Sequence, residues 1–249
     1  MKMKELLAAR WKLLIFALLA FLGVAGNIPG YALDRTVVAN GSVPAVFQNM
    51  VQGLFMTNFN AFVWEHWFAT NGPLVLGTFA AILGGGLIAS EVSSGTIFFL
   101  LIKPVSRERI LLTKYGVSTG LLLAVSIMSS IVVALVCSAL GYPQDLLHLL
   151  VATGLLWLAA LFPLGLSLFF SIILPDSVRP VIFSLLITLA LALLPALLPA
   201  GLNWSLWHYW CSLDAYLTGS FPLKEYLVCL VTALLPLLAA LVAFAKKAY

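Results

Sequence analysis

Six times this chain returns to an apolar run of about twenty residues or more, at roughly 13–33, 72–90, 110–140, 146–174, 180–200 and 225–245. A helix rises about 1.5 Å per residue, so each run is long enough to cross the ~30 Å hydrocarbon layer of a bilayer. No water reaches that layer, so every backbone N–H and C=O must be satisfied inside the structure. The runs are continuous and lack the period-two alternation of barrel strands, which leaves helices. Only 9% of the residues are charged, against roughly 25% in soluble domains. A soluble core is excluded. The expected fold class is an all-α membrane protein, with six transmembrane helices forming a single transmembrane domain over 1–249.

Lysine and arginine positions orient the six spans. With the N-terminus inside, the inner segments hold Lys2, Lys4, Arg10, Lys12, Lys103, Arg107, Arg109, Lys114, Arg179, Lys246 and Lys247. Only Arg35 and Lys224 remain outside, so the positive-inside rule predicts cytoplasmic N- and C-termini. The formal net charge of +4 is thereby explained by topology, and no nucleic-acid partner is expected. Five tryptophans (64, 67, 204, 207 and 210) fall in the two external segments, 34–71 and 201–224. Rings mixed with polar groups there suit short helices at the headgroup level. The basic start Met1–Lys12 precedes an apolar run too long for a signal peptide, and GNIPGYAL is a poor cleavage site, so the run reads as the first span.

Several chemistries lack their parts. There is no Gly-x-x-x-x-Gly-Lys-Ser/Thr loop to cradle nucleotide phosphates, and Glu65-His66 has no second histidine four residues on. The span serines (126, 129, 130, 167, 171 and 184) have no histidine or lysine at matching depth, and such hydroxyls ordinarily bond neighbouring helices. Cys137, Cys211 and Cys229 lack metal-ligand spacing. No catalytic or metal site is expected, and the chain does not read as an enzyme. Nor does any acid or base sit deep inside a span, so no proton relay or fixed-charge ion site is legible. If the protein moves something, the energy comes from outside the chain. Gly84-Gly85-Gly86, inside the second span, permits close helix contact or a bend.

One interruption differs from the rest. EVSSGTIFFLLIKPVSRERILLTK, Glu91 to Lys114, carries four cations between the second and third spans. Ser93, Ser94 and Thr96 could start a short helix over Ile97–Ile102, which Lys103-Pro104 stops because proline cannot continue it. Six apolar residues cannot span. They can lie along the interface with one side offered to a partner's groove. Ser106 then caps the third span, with Glu108 in its first turn. On residues alone, an ordinary cytoplasmic loop bearing positive-inside charges explains this stretch as well.

The order Glu91-x-x-x-Gly95-Thr96, Lys103-Pro104-Val105-Ser106-Arg107 and Ile110-Leu111-Leu112-x-Lys114 resembles the signature of the ABC type-2 export permeases. Val92 departs from it, since a second charged residue often follows the glutamate in that family. The resemblance implies a permease subunit of an ATP-driven exporter in a bacterial inner (plasma) membrane, paired with a second permease subunit, identical or related. Cytoplasmic P-loop ATPase subunits, holding ATP and Mg, would dock on the elbow 91–109 as a coupling helix and drive alternating access. Glu91, Gly95, Thr96, Phe98, Phe99, Pro104, Arg107 and Lys114 are the implied coupling residues. Thr78, Ser184 and Thr188 are expected along the substrate path, although hydrogen bonding between helices explains them equally. No cofactor is expected in this chain itself, and membrane lipid surrounds it. The lack of buried charge leans towards hydrophobic or amphipathic cargo. The rival is a six-span substrate-binding or scaffold subunit that needs no ATPase.

Overall fold

The computed structural model describes residues 2–31, 58–98, 105–197, 206–211 and 221–247, and every element among them is helical. Five stretches are long and apolar enough to cross a membrane: Arg10–Gly30, Phe59–Ser93, Arg107–Ala139, Leu146–Ile173 and Leu223–Lys246. A shorter apolar helix covers Val178–Leu193, within a helix that runs Val178–Leu197.

In chain order, α1 is Lys2–Asn27, followed by a 3-10 turn at Ile28–Gly30. Its face at Phe16, Ala20, Val24 and Ile28 is buried, while Leu14, Ile15, Leu18 and Leu22 are exposed. That division follows the i, i+4 spacing of a helix with one side on its neighbours and the other free for lipid. Phe16 stacks on Phe79 with ring centroids 4.7 Å apart.

The next stretch is longer than its apolar run suggests. α2 (Phe59–Val63) begins at Asn58, whose side chain accepts from the Asn60 N–H. It continues without a break through a π-helix at Trp64–Asn71 into α3 (Gly72–Gly86). Pro73 has no N–H to continue the α pattern, and the Gly72 N–H reaches back to the Trp67 carbonyl, so the wider turn absorbs the mismatch. The aromatics of 59–68 therefore do not form a separate helix, but open the same continuous stretch that runs on into α3. Phe62, Trp64, Trp67 and Phe68 are buried in the protein core. Gly23 of α1 makes room for them, because a Cβ there would stand 2.9 Å from the Trp67 ring. The spacing 59, 62, 63, 67 is a helical face as well as a mixture of rings and polar groups, and packing against α1 decides between the two.

After a turn at Leu87-Ile88, α4 covers Ala89–Ser93. α5 (Arg107–Ala139) starts at Ser106, whose Oγ accepts from the Arg109 N–H at 3.3 Å, and Glu108 lies in its first turn as expected. Gly141, at φ +82°, turns the chain into α6 (Leu146–Ile173), capped by Asp145. Asp176 likewise receives the N–H groups of Val178 and Arg179 at the start of α7 (Val178–Leu197). α8 (Leu206–Trp210) and α9 (Leu223–Lys246) complete the described chain.

α6 is the centre of the bundle, with α3 and α9 packed along it and α5 and α7 also against it. Glycine lets these neighbours approach. A Cβ on Gly84 would lie 2.5 Å from the Leu164 carbonyl, and one on Gly85 would lie 2.6 Å from Val181. On the far side of α6, Gly165 faces the ring of Pro236 in α9. Of the two uses the triple glycine allows, close packing is thus realised by Gly84 and Gly85.

Candidate functional site

The end of the bundle that holds the start of α5 and the ends of α3, α6 and α9 gathers most of the described cations. The second span breaks at Leu87-Ile88, which leaves two backbone donors without helical partners. Ser171 of α6 supplies the missing acceptor: its Oγ receives the Ile88 and Ala89 N–H groups at 3.1 and 2.8 Å. One turn earlier, Ser167 donates to the Ala81 carbonyl at 2.7 Å. α6 therefore fixes both sides of the break.

Past the break, four of the expected coupling residues meet. Glu91 in α4 accepts from Lys114 Nζ of α5 at 3.2 Å, and its other oxygen accepts from Thr96 Oγ1. Lys114 is only 2% exposed, so its charge is held in the bundle by this pair. Gly95 makes the geometry possible. It stands at φ +70°, in the left-handed region that disfavours a side chain, and turns the chain so that Thr96 folds back on Glu91. Ser94 adds a bond to the Ser90 carbonyl at 2.7 Å.

The chain then becomes helical again at Ile97-Phe98. Ile97 is buried at 2% exposure, and Phe98 is 56% exposed. The expected coupling residues Phe99 and Pro104, with Lys103 and the rest of 99–104, lie outside the described residues.

Arg107 stands apart from the Glu91 cluster. Its Nη1 donates to the carbonyls of Lys247 at 2.6 Å and Phe244 at 3.4 Å, at the C-terminal end of α9. Lys247 in turn donates through Nζ to the carbonyls of Ile172 and, at 3.1 Å, Ile173, where α6 ends. Both cations thus sit where the helix dipole and unsatisfied carbonyls favour positive charge. The result is a staple across α5, α9 and α6.

Two of the expected path residues, Ser184 and Thr188, lie one turn apart on α7, and the third, Thr78, lies on α3. Ser184 of α7 is buried and donates to the Pro163 carbonyl of α6 at 2.9 Å. Thr188 donates to the Ser184 carbonyl at 2.8 Å, and Thr78 is half-buried on α3. Two of the three hydroxyls therefore serve helix bonding. Among the described residues no group of three or more His, Cys, Asp or Glu could hold a metal ion, and burial pushes the Cys211 thiol pKa up.

Reading the residues alone missed Ser171 and Lys247 as structural anchors. The pairing of Ser167 and Ser171 on one face of α6, opposite a triple glycine, is the signal that could have found the first.

The family model described as ABC-2 family transporter protein matches residues 2–206. No protein of curated function matches the chain.

Proposed function

The chain belongs to the ABC-2 family of transporter proteins, and on that premise we propose that it is the membrane-spanning permease subunit of an ATP-driven exporter. In this reading six helices span the membrane, α7 among them, and the basic end faces the cytoplasm. A second permease subunit, identical or related, completes the pathway. Cytoplasmic P-loop ATPase subunits carry ATP and Mg, and their closure is transmitted through the segment after Glu91.

One observation carries the reading. Phe98, more than half exposed, follows directly on a turn that the buried Lys114 and Thr96 lock to Glu91. An apolar ring offered outward from a rigid base suits a helix-in-groove contact. Force applied at Phe98 would pass through Glu91 into α5 by the ion pair, and through α4 to α6 by the Ser171 bonds. Thr78, Ser184 and Thr188 remain the proposed polar groups near the substrate path. A tug on α3 and α7 would rearrange the bonds of the latter two.

Purification from detergent-solubilised membranes tests this. A P-loop ATPase should co-purify with the chain and be lost from Phe98→Asp, while that variant still inserts and melts normally. An ATPase retained by Phe98→Asp would move the docking site elsewhere. Absence of any ATPase would favour a scaffold subunit.

A further inference from the structure

At the basic end, α1, α3, α5 and α7 leave a cavity of about 440 Å³ between them, within the size range of small-ligand sites. Its walls have two characters. Lys12, Ser90, Lys114 and Ser177 line the part nearest the membrane edge. Deeper, Leu83, Leu121 and Ile182 replace them, so from Ser90 to Leu83 or Lys114 to Leu121 the lining changes from polar to apolar over about 10 Å of helix.

The two cations differ. Lys114 is buried and shares its charge with Glu91. Lys12 is exposed and forms no ion pair among the described residues. Its Nζ lies 3.7 Å from where a Cβ on Gly86 would stand, so it reaches over the cavity rather than out along the membrane edge. No acidic side chain is among the lining residues. Val178 and Ile182 line the cavity and are also exposed on α7, so the apolar wall is continuous with the exposed apolar surface of that helix.

We propose that this cavity binds an anionic phospholipid of the leaflet at the basic end. Lys12 and the Ser177 hydroxyl take the phosphate, the Ser90 hydroxyl being committed to the Gly86 carbonyl, and the wall of Leu83, Leu121 and Ile182 takes the first part of an acyl chain. A basic pocket between spanning helices at the cytoplasmic edge is a recurrent way of holding such headgroups. Gly86 keeps the floor open: unlike Gly84 and Gly85, it has no neighbouring backbone or side chain within 4 Å of a built Cβ except the Lys12 ammonium. The inference needs only a membrane-embedded chain and does not depend on coupling to an ATPase.

The test uses the full chain in nanodiscs of phosphatidylcholine with a minor fraction of phosphatidylglycerol. Lipids retained after mild detergent extraction are counted by mass spectrometry. Phosphatidylglycerol should be enriched on the wild type, and Lys12→Gln should lower that enrichment about fivefold, the loss expected for one interfacial cation. Lys12→Arg should keep it. Gly86→Leu should remove it by filling the cavity, and Lys224→Gln, at the opposite end of α9, should leave it intact. Equal enrichment in wild type, Lys12→Gln and Gly86→Leu would overturn the proposal, as would no enrichment on the wild type. Full competition by soluble glycerol phosphate would also overturn it, since the site would then take a free phosphate ester and not a lipid.

Discussion

Lys114 and Glu91, 23 positions apart, form an ion pair at 3.2 Å that ties the third apolar helix to the turn ending the second. Because Lys114 is almost wholly buried, removing the carboxylate takes away the opposite charge that compensates it inside the bundle. Breaking a buried pair in this way costs about 3–5 kcal/mol. Glu91→Gln should therefore lower the melting temperature of the purified chain markedly. Glu91→Gln combined with Lys114→Met should recover much of that loss, because no lone charge remains. If the double variant melts lower than Glu91→Gln, the pair is not the source of the effect.

Gly95 is predicted to matter through its backbone and not through contacts. At φ +70° a side chain is strained, yet among the described residues nothing lies within 4 Å of a built Cβ, so none of them crowds it. Gly95→Val should cost about 1–2 kcal/mol, and Gly95→Asn distinctly less, since asparagine enters the left-handed region more readily. If the chain is coupled to an ATPase as proposed, transport-coupled ATP hydrolysis should fall in the same order. Equal behaviour of the valine and asparagine variants would show that φ is not the constraint.

How much of this was legible in the sequence depends on range. Ser106 as a helix cap follows from the residues beside it, and so do the apolar helices and the turn at Gly141. These are local consequences of propensity and hydropathy. Glu91 and Lys114 both stand out in the sequence, but as separate members of a spaced pattern. Only the packing of α4 against α5 makes them a pair. The rings at Trp64 and Trp67 look interfacial by composition, and burial against Gly23 could not be read without knowing that α1 lies there. Lys247 reads as one more inner cation, whereas its Nζ closes the end of α6. Long-range placement decides each of these.

The triple glycine yields a graded prediction. Gly84→Ala would press a methyl group to within 2.5 Å of the Leu164 carbonyl, a backbone atom that cannot move aside without shifting α6. A loss of about 1–3 kcal/mol is expected, as for overpacking elsewhere. Gly86→Ala meets no such obstacle and should be neutral or gain up to about 1 kcal/mol from helix propensity. Thermal melting in one detergent compares the two directly. Equal destabilisation would mean that glycine serves flexibility along the whole run, not contact at Gly84.

Arg107 should act at a distance from its own helix. Its guanidinium holds the carbonyls of Phe244 and Lys247, so Arg107→Gln leaves the last turn of α9 without its cap. Hydrogen bonds to a charged group are worth about 1.5–3 kcal/mol, so local opening there should become about tenfold more frequent or more. Hydrogen exchange followed by mass spectrometry reads this as faster exchange over the final turn of α9. The middle of α9, around Thr232, is held by its own helical ladder and should exchange as before. Lys247 depends on the same turn for its reach to Ile173, so the end of α6 should loosen as well. Faster exchange at α9 with an unchanged α6 would separate the two halves of the staple, and unchanged exchange at both would remove Arg107 from it.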